Sequence, residues 1–252
     1  NAIVATEAVA KSPADGYTLL FSSLSLLVNH ALVDSKVNYD PFKDFTPITM
    51  ATRGPLVLVV HTSIPATSVK ELVVWAKANP GKLNFALGGV GSSLHMAGDA
   101  FKQQAGVFIV NIPYKGTAPA VADVLAGQVE LMFAAVGNVQ QHIKAGKLKA
   151  LGVTSPKRLA AFPDVAAIAE ALPGYSSSAW FGLFAPAKMS PSLVQALSSA
   201  ARAAVATPEM QQRLLQEGMQ PVGNSAPEFE RFVQSEIVRW AKVVRYSGAK
   251  PE

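Results

Sequence analysis

The chain has 252 residues, with 22 Lys and Arg against 17 Asp and Glu, a formal charge of +5, and 15% charged residues in total. An average soluble domain is about 25% charged, so this composition excludes a coiled coil, and with half of the residues hydrophobic it argues against long disorder. The chain contains no cysteine, which excludes disulfides, thiolate nucleophiles and cysteine-bound zinc.

The basic residues are scattered, and none stands in an aromatic-interleaved stripe, so we do not expect nucleic-acid binding. The mild positive excess does suit the attraction of anionic small molecules. The best apolar run, residues 56–60, is the size of a strand and far below the roughly 18 residues of a membrane span. We therefore do not expect a membrane-spanning segment.

Strands and helices are predicted in alternation over the first two thirds of the chain. The chain begins at Asn1 without Met and residues 3–10 already predict a helix, so we expect that the first part of a longer precursor is absent. Ser68 and Glu71 predict a capping box at a helix that Gly81 stops. In chain order the further predictions are a strand at 17–22 followed by a serine-rich loop, strands at 56–60 and 83–87, a helix at 94–104, a strand at 108–112, a helix at 119–126, a strand at 129–133, a helix at 138–145 and a strand at 148–153. This alternation predicts parallel βαβ units in an open α/β sheet.

The pattern changes after residue 174, where one isolated strand at 179–186 is followed by three helices with no strand between them. Ser190 and Thr207 each precede a proline that can open a helix. Ser225 with Glu228 predicts the start of the third helix, which extends to about residue 246 and keeps an apolar face for a core. A middle α/β block between flanking pieces predicts two lobes crossed twice by the chain, lobe I at 1–55 and 182–252 and lobe II at 56–181.

The segment GGVGSSLH at residues 88–95 follows a predicted strand and opens a helix. Glycines and two serines there leave backbone N–H groups and hydroxyls at a helix N-terminus, which favours an anion. The segment does not fit a dinucleotide fingerprint, because Leu94 replaces the third glycine, and it does not fit a Walker loop, because no lysine follows. An ordinary tight turn is the alternative.

Two other strand ends have similar chemistry. Ser22 and Ser23 follow the first strand, and Lys115, Gly116 and Thr117 follow the strand at 108–112, with Thr117 as the predicted cap of the next helix. Ligands of open α/β sheets gather at the carboxyl ends of strands. We therefore expect a carboxylate-bearing ligand to bind between the lobes.

Catalytic patterns are sparse. The sequence has neither a G-x-S-x-G elbow nor an H-E-x-x-H motif, and the four histidines, His30, His61, His95 and His142, do not stand at metal-ligand spacing. We expect no metal and no cofactor. His95, one turn inside its helix, suits a hydrogen-bonding wall of the site, or a plain helix residue, better than a general base.

The whole chain resembles one family, the substrate-binding proteins of tripartite tricarboxylate transporters, also called the Bug family. The matching stretches are PADGYTLLFSS at 13–23, NYDPFKDFTPIT at 38–49, LVLVVHTSIPATSVKELVVWAKANPGKLNFA at 56–86, GGVGSSLHMAGDAF at 88–101, IVNIPYKGTAPAVADVLAGQVELMF at 109–133, HIKAGKLKALGVTSPKR at 142–158, SAWFGLFAPAKMSP at 178–191 and WAKVVRYSGAK at 240–250. The resemblance implies a two-lobed α/β periplasmic-binding-protein fold of type II, a venus flytrap with open sheets flanked by helices. It also implies a monomer in the periplasm that delivers an organic acid to membrane transporter subunits.

In the family, backbone amides, small hydroxyls and ordered waters hold the ligand carboxylates at strand ends. Carried onto this sequence, the resemblance implies ligand contacts at Ser22, Ser23, Gly91, Ser92, Ser93, His95, Lys115, Gly116 and Thr117. The chain departs from the family at two places. The family's first strand and glycine-rich loop, which precede residue 3, are missing, and Ala134 and Ala135 stand where many relatives carry Asp-Asn.

The ligand type follows from Ala134 and Ala135 together with Leu24, Leu26 and Leu27 of the serine-rich loop. A buried ammonium needs a carboxylate partner, so we expect a mono- or dicarboxylate without an amino group, with room for an aromatic or aliphatic body. Another acidic residue could replace the missing one, or these alanines could face the core. Two further functions stay open at this point: a sensor that signals to a membrane partner, and an α/β hydrolase-like enzyme.

Overall fold

The computed structural model describes residues 2–32, 36–159 and 162–248. The chain divides into two units, Asn1–Arg53 with Trp180–Glu252, and Gly54–Ala179. In chain order the elements are α1 (Ile3–Ala10), β1 (Leu20–Ser23), α2 (Ser25–Ala31), β2 (Phe45–Gly54), β3 (Leu56–His61), α3 (Val69–Ala78), β4 (Asn84–Leu87), α4 (Ser93–Ala105), β5 (Val110–Pro113), α5 (Thr117–Leu125), β6 (Leu131–Ala135), α6 (Val136–Lys144), β7 (Leu148–Val153), a 3₁₀ turn (Ile168–Glu170), β8 (Ala179–Pro186), α7 (Pro191–Val205), α8 (Pro208–Gln216), β9 (Gln220–Pro221) and α9 (Ala226–Ser247). Within the described residues, no helix is long and apolar enough to cross a membrane.

The first unit is built on a four-stranded sheet in the order β1-β8-β2-β9. β1 runs antiparallel to β8, and β2 runs antiparallel to β9. The long helix α9 packs on this sheet through Phe229, whose ring occupies the space that a Cβ at Gly182 would fill. Trp180 and Phe184 of β8 meet the same ring at centroid distances of 5.8 and 5.0 Å.

Two strands of this sheet have no counterpart in the sequence analysis. The prediction that no strand separates the last three helices is wrong, because β9 lies between α8 and α9. β2 carries threonines at buried positions, so it lacks a simple apolar alternation. The Thr49 and Thr52 hydroxyls instead donate to the backbone carbonyls of Asn224 and Gln220, at 2.6 and 2.8 Å. Tertiary hydrogen bonds thus stabilise strands that periodicity alone does not reveal.

The second unit has a five-stranded sheet in the order β5-β4-β6-β3-β7. β4 is parallel to both β5 and β6, as the βαβ pattern predicted. β3, however, is antiparallel to both β6 and β7, so the predicted parallel pattern does not extend to this strand. The strand residues 56–60 are fully buried, which explains why β3 has a continuous apolar run in the sequence.

Several predicted helix starts are confirmed. Ser68 accepts the Glu71 N–H at 3.2 Å, and the Glu71 carboxylate accepts from the N–H and hydroxyl of Thr67, one residue before the predicted cap. Ser190 and Thr207 cap α7 and α8, each followed by proline. These local signals depend on side chains that bond their own turn, so the sequence is sufficient to locate them.

The segment after β1 differs from its prediction. Residues 25–31 form the helix α2 instead of a serine-rich loop. Leu24, Leu26 and Leu27 are almost completely buried in the first unit. They therefore pack in the core of the first unit, and their effect on a ligand pocket stays a prediction.

Candidate functional site

The carboxyl ends of β4, β5 and β6 lie side by side at one edge of the second sheet. Leu87 of β4 pairs with Pro113 of β5, and Phe85 of β4 pairs with Leu131 of β6, all in parallel register. Parallel neighbours end at the same edge, which is where open α/β sheets bind ligands. The register thus brings the segments after β4 and β5 next to the end of β6.

The turn after β4 needs its glycines. Gly89 and Gly91 have φ angles of 136° and 77°, which only glycine adopts readily. The hydroxyl of Ser92 accepts the His95 N–H at 3.2 Å and caps the 13-residue helix α4. Ser93, the first helical residue, is only 4% exposed. This turn, Gly88 to Ser93, is called the glycine turn below.

The loop after β5 touches the glycine turn. A Cβ at Gly88 would lie 3.0 Å from Oγ1 of Thr117, so the two segments are in contact. The N-cap of α5 is Gly116, with φ 118°, and Thr117 is the first helical residue. The prediction that Thr117 caps α5 is therefore wrong, although its hydroxyl stays at the edge. Lys115 is exposed beside it.

Tyr114 fixes the base of this loop. Its N–H donates to the Leu87 carbonyl at 3.0 Å and its hydroxyl donates to the Asp123 carboxylate at 2.8 Å. Desolvation, and then the Asp123 carboxylate, raise the pKa of Tyr114 to about 12. The hydroxyl stays protonated at neutral pH and keeps Asp123 occupied.

Ala134 and Ala135 end β6 at the same edge. Ala134 lies opposite Val57 of β3 and is fully buried. Ala135 lies opposite Leu56, is partly exposed and immediately precedes α6. Ala134 therefore packs in the core, and Ala135 is the member of the pair that borders the edge.

A buried polar network lies directly beneath the glycine turn. Nδ1 of His95 accepts the Gly91 N–H at 3.0 Å, and Nε2 of His95 lies 2.8 Å from Oδ2 of Asp99. Nζ of Lys102 lies 2.6 Å from Oδ1 of Asp99 and donates to Oδ1 of Asn111 at 2.6 Å. Nδ2 of Asn111 donates to Oδ1 of Asp99 at 3.3 Å. These five residues are called the turn network below.

Asp99 stays ionised inside this network although it is completely buried. Burial alone would raise its pKa, but hydrogen bonds and attraction from His95 and Lys102 outweigh burial, so the pKa of Asp99 lies below its ordinary value. Asp99, Lys102 and Asn111 are not among the site residues predicted from the sequence. The spacing of His95, Asp99 and Lys102 at i, i+4 and i+7 was an available signal, because it places them on one helix face.

The predicted site residues of the first unit lie near the end of β1. Ser22 is buried opposite Gly182 of β8, and Ser23 is partly exposed with its hydroxyl 3.1 Å from that of Ser25.

Within the described residues, no three His, Asp or Glu side chains gather in a way that could hold a metal ion.

Two sheets flanked by helices, with polar turns at strand ends, define the class of two-lobed periplasmic binding proteins. The structure of the periplasmic binding protein BugD matches 99% of this chain and 84% of that chain, with a TM-score of 0.88 and 32% identity. The predicted α/β periplasmic-binding-protein fold is thus confirmed. The chain belongs to the family described as the tripartite tricarboxylate transporter family receptor, whose profile matches residues 1–248.

Two related structures contain small carboxylic acids. Rpa4515 of R. palustris, solved with adipate, matches 99% of this chain and 84% of that chain, with a TM-score of 0.90 and 34% identity. MatC from Rhodopseudomonas palustris, solved with bound malate, matches 96% of this chain and 84% of that chain, with a TM-score of 0.87 and 31% identity. The family is one of solute-binding proteins, and carboxylates are the ligands of these two relatives.

Proposed function

We propose that this protein is a periplasmic solute-binding protein that captures a small organic carboxylate, without converting it, and delivers it to the membrane subunits of a tripartite tricarboxylate-type transporter. The observation that carries the proposal is the glycine turn. Ser93, a residue only 4% exposed, is there the first residue of the 13-residue helix α4.

The chemistry of that turn suits a carboxylate. The first N–H groups of a helix have no intrahelical partner, and the helix dipole adds positive potential at that end. Ser93 supplies a hydroxyl donor, Thr117 a second hydroxyl at the same edge, and the exposed Lys115 a cation that attracts anions from solution. The glycines keep the backbone clear of side chains, so a carboxylate can approach the N–H groups. Family membership and the acids bound to two relatives support the same ligand class.

We further propose that the ligand lacks an amino group. Two carboxylates of the second unit flank this edge, and both are engaged, Asp99 with Lys102 and His95, and Asp123 with Tyr114. A ligand ammonium at this edge would have to displace one of these partners, and an unpaired buried charge costs several kcal/mol. Ala135 at the end of β6 offers no replacement.

Calorimetric titration with adipate, malate, succinate and aspartate tests the ligand class. We expect the amine-free acids to bind and aspartate to bind far more weakly than succinate, which has the same carbon chain. Aspartate binding as tightly as succinate would contradict the amine-free proposal, and failure of every acid to bind would contradict the carboxylate proposal itself.

The double variant Ser92→Ala, Ser93→Ala tests the location. It should weaken binding of the best acid by about 1–3 kcal/mol, because hydrogen bonds to a charged group are lost. Ser190→Ala is the matched control, since Ser190 caps α7 in the first unit and its loss destabilises a helix without touching the glycine turn. Equal affinity of the double variant and the wild type would place the ligand elsewhere.

A further inference from the structure

The two ring nitrogens of His95 have different partners: Nδ1 faces the Gly91 N–H, whereas Nε2 faces Oδ2 of Asp99 at 2.8 Å and, at the longer distance of 3.3 Å, Nδ2 of Asn111. The Gly91 N–H points at Nδ1 at 3.0 Å, and a backbone N–H can only donate. Nδ1 must therefore be the bare nitrogen, and the proton of the neutral ring lies on Nε2, on the side of Asp99. The hydrogen bond that fixes the glycine turn exists in this tautomer alone.

Asp99 is placed to select that tautomer. An ionised carboxylate accepts hydrogen bonds and cannot donate them. Oδ2 of Asp99 is buried, no well-aligned hydrogen bond from a described residue satisfies it, and it lies 2.8 Å from Nε2 of His95, so it favours a proton on that nitrogen. Its other oxygen, Oδ1, faces Nζ of Lys102 at 2.6 Å, which fixes the orientation of the carboxylate and neutralises its charge. The chain Lys102, Asp99, His95, Gly91 thus ends on the backbone of the glycine turn.

We propose that Asp99 is the positioning residue of the glycine turn: it holds His95 with the proton on Nε2, so that Nδ1 accepts the Gly91 N–H and the turn keeps the shape that receives a carboxylate. The inference rests on the proposed function, because it takes the glycine turn as the carboxylate site. Asp99 itself is completely buried and acts on the ligand only through His95 and the turn.

Because Asp99 is charged, an experiment can distinguish its positioning role from a purely electrostatic effect on ligand affinity. A negative charge beneath an anion site repels the anion, and removing it would leave the Lys102 cation less neutralised. Simple electrostatics therefore predicts that Asp99→Asn binds carboxylates more tightly. The positioning role predicts the opposite.

The substitution Asp99→Asn should move the ring proton of His95 in a defined direction. In Asp99→Asn, one of the two terminal positions becomes an NH₂ donor. If that donor faced Nζ of Lys102, two donors would oppose each other, one of them charged. The arrangement that avoids this places the amide oxygen at Lys102 and the NH₂ at His95, which then accepts on Nε2 and carries its proton on Nδ1. Nδ1–H and the Gly91 N–H would then be two opposed donors, and the turn would lose its hydrogen bond.

The experiment measures carboxylate affinity and the His95 tautomer in the full chain. Affinity for adipate and malate is measured by calorimetry, and the tautomer is read from the ¹⁵N shifts of the imidazole in the ligand-free protein. We expect Asp99→Asn to weaken binding at least about ten-fold, equal to about 1.4 kcal/mol, and to move the ring proton to Nδ1. Glu236→Gln is the matched control, because it neutralises a buried carboxylate of the first unit and should change neither readout.

A pair of His95 variants tests the same role without altering Asp99. The amide of His95→Asn can bring its oxygen to the position of Nδ1, whereas that of His95→Gln reaches the position of Nε2. His95→Asn should therefore keep more of the affinity than His95→Gln. Circular dichroism verifies that each variant is folded, and if Asp99→Asn does not fold, this pair decides.

Several outcomes would overturn the inference: unchanged or tighter binding by folded Asp99→Asn, a ring proton that stays on Nε2 in that variant, or equal affinities of the two His95 variants. A wild-type chain that binds neither acid would instead contradict the proposed function. The tautomer measured on the ligand-free protein would still show whether Asp99 controls the turn, so the two failures can be told apart.

Discussion

The two units each bury a carboxylate, but they surround it with different partners. Asp99 in the second unit is fully buried and faces a cation, Lys102, and the His95 ring. Glu236 in the first unit is 3% exposed, and one of its oxygens accepts both indole N–H groups of Trp180 and Trp240, at 2.9 and 3.0 Å. Glu236 also has a cation, the half-exposed Arg239 at 3.5 Å, but its closer partners are the two indoles, whereas the closest partner of Asp99 is the buried Lys102 cation.

The two carboxylates stabilise different parts of the structure. Glu236 lies on α9 and Trp180 on β8, so their hydrogen bond attaches the long helix to the first sheet. Asp99 bonds residues of its own helix and Asn111 of β5, and its network ends on the backbone of the glycine turn. The first arrangement stabilises a core, whereas the second stabilises the glycine turn at the edge of the second sheet.

We expect the largest change in unfolding free energy when the two buried carboxylates are replaced by leucine, and we expect Asp99 to cost more than Glu236. Asp99→Leu leaves the Lys102 ammonium buried without its anion, which should cost about 3–5 kcal/mol of unfolding free energy. Glu236→Leu leaves two indole N–H groups without an acceptor, which should cost about 1–3 kcal/mol. Urea unfolding of each variant measures both values.

The matched control for that pair is Glu230→Leu, an identical change at an exposed position of α9. It should alter the unfolding free energy by no more than about 0.5 kcal/mol. If Asp99→Leu were no more costly than Glu236→Leu, the distinction between a carboxylate paired with a buried cation and one paired with indoles and an exposed cation would be lost.

The second expected effect concerns a glycine that each unit places against a buried ring. A Cβ at Gly98 of α4 would lie 1.9 Å from Cε1 of Phe85, and a Cβ at Gly182 of β8 would lie 2.2 Å from Cζ of Phe229. Gly98→Ala and Gly182→Ala should each destabilise by about 1–3 kcal/mol, since the buried rings must shift.

Only the change at Gly98 lies next to Asp99, so it should also weaken carboxylate binding, while Gly182→Ala should not affect the glycine turn. Gly106→Ala serves as a control for added volume, because nothing lies within 4 Å of a Cβ there, although its φ of 62° adds some strain. Unfolding midpoints and titrations of the three variants check these expectations. Stability equal to wild type for Gly98→Ala or Gly182→Ala would contradict the tight packing.

The smallest expected effect comes from an exposed carboxylate. Arg158 and then the Ala167 N–H bond Glu170 and lower its pKa from 4.5 to about 2. A carboxyl group whose pKa is lowered by folding stabilises the protein above its unfolded pKa and loses that contribution as the pH falls through the folded value. The contribution of Glu170 should therefore be complete above pH 4.5 and disappear towards pH 2.

Glu170→Gln should remove the part of the acid dependence that Glu170 contributes and leave the rest unchanged. The effect should be small, because solvent screens exposed ion pairs. Urea unfolding of wild type and Glu170→Gln at several pH values below 5 measures this acid dependence, with Glu217→Gln of the first unit as the control. A steeper acid dependence in Glu170→Gln than in wild type would contradict the sign.

The sequence alone determined the features that depend on neighbouring residues. Helix starts at Ser68, Ser190 and Thr207 were predicted because a capping side chain bonds its own turn. β7 and β8 were predicted with the bounds that the structure has, since strand-length apolar runs with turn residues beside them are local signals. The glycine turn was predicted as an anion site for the same reason.

Features that depend on contacts between distant residues are visible only in the tertiary structure. The antiparallel orientation of β3 depends on pairing with β6 and β7, and the strand identity of β2 depends on hydrogen bonds to residues near 220. Asn111 reaches Asp99 because β5 packs beside α4, which no local pattern shows. Burial and pairing are set by contacts across the fold, so the turn and the helix spacing of His95, Asp99 and Lys102 are visible in the sequence, whereas the contact of Asn111 with them is not.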